Sequence, residues 1–152
     1  MRLRRARMDD ALDVLGWRND PHTRAMSREG GLVEPDAHLA WFEKALADPR
    51  KLVFVAESDG RKVGMARFDD LGGAWEVSIN LAPAERGRGF GRALLEAALA
   101  ALFQVVGSTP VIAEIKPVNT GSIRVFEAAG FLRLDTQGAG RLRYRYAADP
   151  RA

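Results

Sequence analysis

The 152 residues contain no cysteine, which excludes disulfides, thiol catalysis and thiolate metal sites. Histidine is nearly absent too. His22 and His38 are the only imidazoles and lie far apart in sequence, so no metal is expected. Lysine is scarce, with none between Lys62 and Lys116, which removes the Walker phosphate loop G-x-x-x-x-G-K-(S/T). The longest apolar run, Ala97 to Val106, is interrupted by Gln104 and falls far short of the roughly 20 residues of a membrane span. Met1 to Arg7 is charged with no apolar segment after it, so neither a signal peptide nor a membrane partner is expected, and the cytoplasm is the expected location.

What is present suits one globular domain over residues 1–152. Hydrophobic residues make up 47% and charged residues 28%, ordinary values for a packed core with a solvated surface. No linker, repeat or low-complexity run interrupts the chain. The net charge of +3 comes from arginines clustered at Arg2 to Arg7, Arg86 to Arg92 and Arg141 to Arg145. The first and last clusters alternate with Leu3, Leu142, Tyr144 and Tyr146, which reads as strands with one solvated face. A nucleic-acid reader would carry a basic helix or interleaved aromatics instead, so no nucleic-acid partner is expected.

The chain is organised around Glu76 to Leu102. Val77, Ile79 and Leu81 alternate with Glu76, Ser78 and Asn80, the period of a strand with one apolar and one polar face. A Gly/Arg turn follows, and then Ala93, Leu94, Leu95, Ala98, Leu99 and Leu102 form a helical stripe. Gly87, Gly89 and Gly91 permit close backbone approach at a helix start, where amide dipoles sum to about half a positive charge. Arg86, Arg88 and Arg92 add guanidinium donors. An anion site is predicted there. The dinucleotide fingerprint G-x-G-x-x-G does not fit, because its third glycine would fall at Arg92 or Leu94.

In chain order, Leu3 to Arg7 reads as a strand, and Asp9 is placed to cap a helix through Trp17. Pro21 begins a short helical piece and Pro35 a longer one, through Leu39, Trp41, Phe42, Ala45 and Leu46, which Asp48-Pro49 stops. Lys51 to Ser58 and Lys62 to Asp69 form a hairpin about Asp59-Gly60. Further strands are predicted at Trp75 to Leu81, Val111 to Ile115, Phe131 to Thr136 and Leu142 to Tyr146, with a helix over Asn119 to Ala129. Such a mixture predicts an α/β (α+β) domain with its sheet covered on both faces. The polar row Glu76, Ser78 and Asn80 in so buried a strand therefore predicts a cleft.

Two motifs carry a resemblance. Arg86-Gly87-Arg88-Gly89-Phe90-Gly91 is similar to the (Q/R)-x-x-G-x-(G/A) acyl-CoA signature of the Gcn5-related N-acetyltransferase (GNAT) superfamily. Asn119 to Phe131, with Ser122, Phe126, Glu127 and Gly130, resembles the family's N-x-x-(S/A)-x-x-x-(Y/F)-E-x-x-G-F segment. The resemblance implies a mixed, mainly antiparallel sheet of about seven strands with helices on both faces. It also implies a slot for the pantetheine arm, where the central strand splays from Val111 to Ile115. Acetyl-CoA is then the expected co-substrate, held by Arg86 to Arg92, Asn119, Ser122 and Phe126, with the Leu81 amide meeting the thioester carbonyl. Acetyl transfer to a primary amine in a ternary complex follows.

An amine of pKa near that of lysine, about 10.4, must lose a proton before it attacks. Glu76 is the expected base, because Glu76 to Pro83 resembles the ribosomal-protein acetyltransferase branch, and Asn80 joins it on the same strand face. Burial or an apolar neighbour such as Trp75 is expected to raise the glutamate's pKa. Phe126 departs from the tyrosine that many family members use to protonate the thiolate, and Tyr144 and Tyr146 stand as substitutes.

Trp17-Arg18-Asn19-Asp20, with Thr23, Arg24, His38 and Trp41, resembles sugar-nucleotide N-acetyltransferases of the pseudaminic-acid pathway. Trp17, Arg18 and Arg24 are therefore the expected substrate contacts, and an amino-sugar nucleotide the expected acceptor. Protein N-termini, small amines and amino acids are alternatives, as is a non-catalytic acyl-CoA-binding module. A homodimer is an assembly the sequence leaves open.

Overall fold

A computed structural model describes residues 1–134 and 140–147. Its strands are β1 (Arg2–Arg5), β2 (Lys51–Ser58), β3 (Arg61–Asp70), β4 (Trp75–Leu81), β5 (Val111–Ile115), β6 (Phe131–Leu134) and β7 (Leu142–Tyr146). The helices are α1 (Ala11–Arg18), α2 (Pro21–Met26), α3 (Pro35–Ala47), α4 (Phe90–Val106) and α5 (Thr120–Ala128). The strands form one sheet in the order β1-β2-β3-β4-β5-β7-β6. Every pairing is antiparallel except β4 with β5.

The sheet is covered on both faces, as its apolar strands require. Leu52, Phe54, Phe68, Trp75 and Val77 pack with Leu94, Leu95, Leu99 and Leu102 of α4 on one side. Val53 and Met65, of opposite strand parity, pack with Val14, Trp17 and Phe42 of α1 and α3 on the other. The β2–β3 hairpin turns at Asp59 (φ 51°) and Gly60 (φ 75°), the paired positive φ of a type I′ turn. The mainly antiparallel seven-stranded sheet with helices on both faces is the fold the two motifs imply.

The N-terminus differs from expectation in two places. β1 ends at Arg5, and a 3-10 turn over Met8–Asp10 precedes α1. Asp10, not Asp9, orders this junction: its carboxylate accepts from Arg7 N–H at 2.7 Å and from Arg4 Nη1 and Nη2 at 2.8 and 2.9 Å. Lys62 Nζ adds a contact at 2.8 Å. A buried carboxylate needs such partners, and only Asp10 reaches them. Of the predicted Phe131 to Thr136 strand, Asp135 and Thr136 lie outside the described residues.

Candidate active site

The site begins where the parallel ladder stops. β4 and β5 pair only at Trp75↔Val111 and Glu76↔Ile112. The bond from Ala82 N–H to Val63 C=O at 2.9 Å fixes the phase of the β3–β4 ladder. In that phase Leu81 and Ile79 face Gly64 and Ala66 in non-hydrogen-bonded pairs, so their N–H and C=O groups point away from β3. With β5 no longer paired, these groups open into a cleft of about 1020 Å³. Glu76, Ser78 and Asn80 line it from β4, and Asn119 and Ser122 from the start of α5. Asn119 also caps α5, accepting from Ser122 N–H at 3.2 Å.

The glycine turn borders the same cleft through Gly87, Gly89 and Gly91. Gly87 and Gly89 hold φ of 75° and 78°, a left-handed region that a side chain disfavours. Gly89 is also the N-cap of α4, and no side chain among the described residues caps that helix. The first-turn amides are thus free for an anion. At Gly91 a Cβ would lie 3.0 Å from Val125 Cγ2, so this glycine lets α4 approach α5.

The arginines of the turn behave differently from one another. Arg86 lines the cleft but reaches away from the turn, donating to Asp20 Oδ2 at 2.6 Å and Thr23 Oγ1 at 2.7 Å. Arg88 and Phe90 are not on the cleft wall: Arg88 pairs with Glu85 at 3.0 Å and its guanidinium covers the Phe90 ring. Arg61 and then Arg88 hold the Glu85 carboxyl below the usual carboxylate range. Arg92 borders the cleft and pairs with Glu96 at 2.7 Å.

On the polar face of β4, Glu76 Oε2 lies 3.4 Å from Arg28 Nη2. Trp75 points to the opposite face, into the core under α4. Trp75 is therefore not the neighbour of this carboxylate, because adjacent strand residues face opposite ways; Ile112 stands across the ladder from Glu76 and a guanidinium beside it. Asn80 Oδ1 accepts from Thr23 Oγ1 at 3.4 Å. Through Thr23 this residue joins the Arg86–Asp20 pair.

The expected acceptor contacts separate. Trp17 is 9% exposed and packs in the core with α3, away from the cleft, because it sits on the sheet-facing side of α1. Arg24 donates to Gly30 C=O at 3.0 Å and braces the loop after α2, off the cleft wall. Arg18 does line the cleft. Its Nη2 donates to Glu29 C=O, while its Nη1 is buried with no hydrogen-bond partner among the described residues. Trp41 is also on the wall, with the Arg67 guanidinium 5.3 Å from its ring centre.

Arg28, Arg67 and Glu114 line the cleft without having been singled out from sequence. His38 is buried with Nε2 2.8 Å from Ala11 C=O, and burial lowers its pKa. Phe126 lines the cleft and packs edge-on against Phe131 at 4.9 Å. Tyr144 is buried and donates to Glu127 Oε2 at 2.9 Å, away from the cleft, while Tyr146 packs on Phe131 and Phe103. Among the described residues no cluster of side chains could hold a metal ion, and no helix is long and apolar enough to cross a membrane.

Residues 1–132 match the family model described as the acetyltransferase (GNAT) domain. A curated relative, the L-methionine sulfoximine/L-methionine sulfone acetyltransferase of Salmonella typhimurium, is 32% identical over an alignment of 122 positions that covers 72% of this chain. The match spans 66% of that relative's length, just under two thirds. Among solved structures, yncA of Salmonella typhimurium with its cofactor acetyl-CoA is 26% identical, with TM-score 0.76 over 95% of this chain and 91% of that one. Spermidine N-acetyltransferase of Vibrio cholerae, in complex with CoA and spermine, shares the fold at 18% identity and TM-score 0.81, over 95% and 92% of the two chains.

Proposed function

The chain belongs to the GNAT acetyltransferase family, and we propose that it transfers the acetyl group of acetyl-CoA to the primary amine of a small acceptor that also carries an anionic group. The observation that carries the reading is the junction of the uncapped α4 N-terminus with the splay of β4 from β5. It offers amides for a pyrophosphate and, at Ile79 and Leu81, free strand groups for the pantetheine arm. Acetyl-CoA supplies the activated acetyl group. The Leu81 N–H donates to the thioester oxygen as negative charge grows there. Glu76 takes the proton of the attacking amine, directly or through water, while the C–S bond breaks and CoA leaves as thiolate. Asn80, Asn119, Ser122 and Phe126 line the path of the acyl arm. Gly87, Gly89 and Gly91 serve the phosphates, with Arg92 at the rim.

The acceptor's anionic group is argued from Arg18. Its buried, unpartnered Nη1 represents a cost of about 1–3 kcal/mol that an anion relieves. An amino acid and an amino-sugar nucleotide both bring such a group. The nucleotide reading keeps Arg18 but loses Trp17 and Arg24, which lie off the cleft. The test is CoA release from acetyl-CoA across an amine panel. Release with L-methionine sulfone or a UDP-linked 4-amino sugar, and little with amines that carry no anionic group, is expected. Equal release with amines lacking an anionic group overturns the anionic requirement. Tight acetyl-CoA binding with no release from any amine would make the domain an acyl-CoA-binding module.

A further inference from the structure

We infer that Arg28 is an internal cation that masks the carboxylates of Glu76 and Glu114 and thereby sets the charge of the acceptor. The inference rests on the proposed acetyl transfer at Glu76. Glu76 sits on the last rung of the β4–β5 ladder, opposite Ile112, and Glu114 follows Ile112 by one alternation on the same face. The two carboxylates therefore stand together where the strands part. A single nitrogen spans them: Arg28 Nη2 is 3.4 Å from Glu76 Oε2 and 3.0 Å from Glu114 Oε2.

The backbone around Arg28 is tied down by other cations. Arg141 Nη2 donates to Arg28 C=O at 3.4 Å, Lys116 Nζ to Ala25 C=O at 2.9 Å, and Arg18 to Glu29 C=O. The loop thus delivers the guanidinium to this place. Its strength decides what it does there. The Arg28 side chain is 60% exposed, and an exposed pair contributes only about a few-fold in any equilibrium. Such a contact is too weak to act as a structural pin, and a bound ammonium can displace it.

The two carboxylates are not equivalent. Glu114 also has Arg141 Nη1 at 3.5 Å and Arg143 Nε at 3.7 Å, whereas Glu76 has no ion pair other than Arg28 among the described residues. An acceptor ammonium arriving at Glu76 therefore displaces Arg28 from Glu76 while Glu114 retains it. One ammonium is accommodated. A polyamine, with further ammonium groups, meets no free carboxylate at Glu114 and is repelled by Arg18, Arg28, Lys116 and Arg141 on the cleft wall. The cationic wall that admits an anion-bearing amine at Arg18 thus excludes a polycation through Arg28.

Spermidine titrated calorimetrically into the protein saturated with CoA tests this without requiring turnover. In Arg28→Ala the affinity should rise about two- to five-fold, and Arg28→Lys should keep the weak binding of the native chain. Adding Glu114→Gln to Arg28→Ala should reduce the gain to the part owed to the unmasked Glu76. Unchanged spermidine affinity in Arg28→Ala, an equal gain in Arg28→Lys, or a gain undiminished by Glu114→Gln would overturn the inference. Failure of every amine to release CoA would end the acetyl-transfer reading instead, and is read in a separate assay.

Discussion

Arg86, the first residue of the phosphate-loop motif, is bound to Asp20, the N-cap of α2, through a 2.6 Å contact. The same carboxylate accepts from Thr23 N–H at 3.1 Å, and Thr23 Oγ1 reaches Asn80 Oδ1 at 3.4 Å. One chain of contacts thus links the glycine turn, the acceptor-side helix and the polar face of β4. Arg86 is a tie between the two halves of the cleft, where the sequence suggested a clamp on phosphate.

Arg86→Ala and Asp20→Ala should therefore shift the same parameter. Each is expected to raise the acceptor KM more than the acetyl-CoA KM. Asp20→Ala should also lose the α2 cap, about 1 kcal/mol of stability by denaturant unfolding. The Arg86 hydrogen bond, ahead of other causes, lowers the Asp20 pKa. The tie is complete above the usual carboxylate range and is lost as pH falls through the lowered value. A selective rise in acetyl-CoA KM in Arg86→Ala would return this residue to the phosphates.

Glu76→Gln should lower kcat by about 10²- to 10⁴-fold, the usual share of a positioned base, with acetyl-CoA affinity unchanged. Full turnover in Glu76→Gln would leave Glu76 as a contact only.

How much of this was legible in the sequence depends on the range of the interaction concerned. β4, β5 and β7 begin and end where alternation predicts, at Trp75 and Leu81, Val111 and Ile115, and Leu142 and Tyr146, because pattern and turn chemistry are local. The glycine turn was legible for the same reason. The partners of its arginines were not. Arg28 lies in a loop without periodicity, and its contacts with Glu76 and Glu114 cross 48 and 86 positions. Trp17 and Arg24 are expected substrate contacts only by the resemblance to sugar-nucleotide N-acetyltransferases, which does not say which face of a helix meets the sheet. Asp9 and Asp10 are equivalent as cap residues, and only the tertiary position of Arg4 and Lys62 distinguishes them.

Gly89→Glu should abolish saturable acetyl-CoA binding at millimolar concentrations. The substitution places a side chain at φ 78°, a strain of about 1–2 kcal/mol, and a carboxylate against the amides meant for phosphate. Binding measured calorimetrically checks it, with far-UV circular dichroism confirming that α4 persists. Unaltered affinity would remove the turn from the cofactor site.

Asp10→Asn should destabilise the domain by about 1–3 kcal/mol, the cost of weakening charge-assisted hydrogen bonds at a buried group, since the partly exposed Arg4 and Lys62 keep Glu57 and Asp13 as partners. The Asp10 side chain is 1% exposed and contacts both Arg4 and Lys62. Burial opposes its ionisation, yet hydrogen bonds from Arg4, Lys62 and Arg7 N–H outweigh burial and hold the carboxyl well below its usual range. A lowered folded pKa stabilises the protein above the unfolded value, about 3.9, and this contribution is lost as pH falls toward the folded one. Urea midpoints should therefore separate the native chain from Asp10→Asn most at neutral pH and converge in acid. A constant gap across that range would show that the charge of Asp10 is not what the site uses.

Tyr144→Phe decides whether a tyrosine replaces the acid that Phe126 lacks. Burial, followed by the Glu127 hydrogen bond, raises the Tyr144 pKa, a direction compatible with a proton donor. Geometry argues otherwise, because the hydroxyl is committed to Glu127 at 2.9 Å and the ring is 1% exposed in the core. Removing the hydroxyl should cost about 0.5–1.5 kcal/mol of stability, the net worth of a hydrogen bond whose exposed Glu127 partner is left to water, and leave kcat within about two-fold, since a thiol of pKa about 8.5 departs as thiolate without an acid. Paired unfolding and turnover measurements check this. A kcat loss of about ten-fold or more, with acetyl-CoA KM unchanged, would mean that the core opens far enough during turnover for Tyr144 to reach the leaving sulfur.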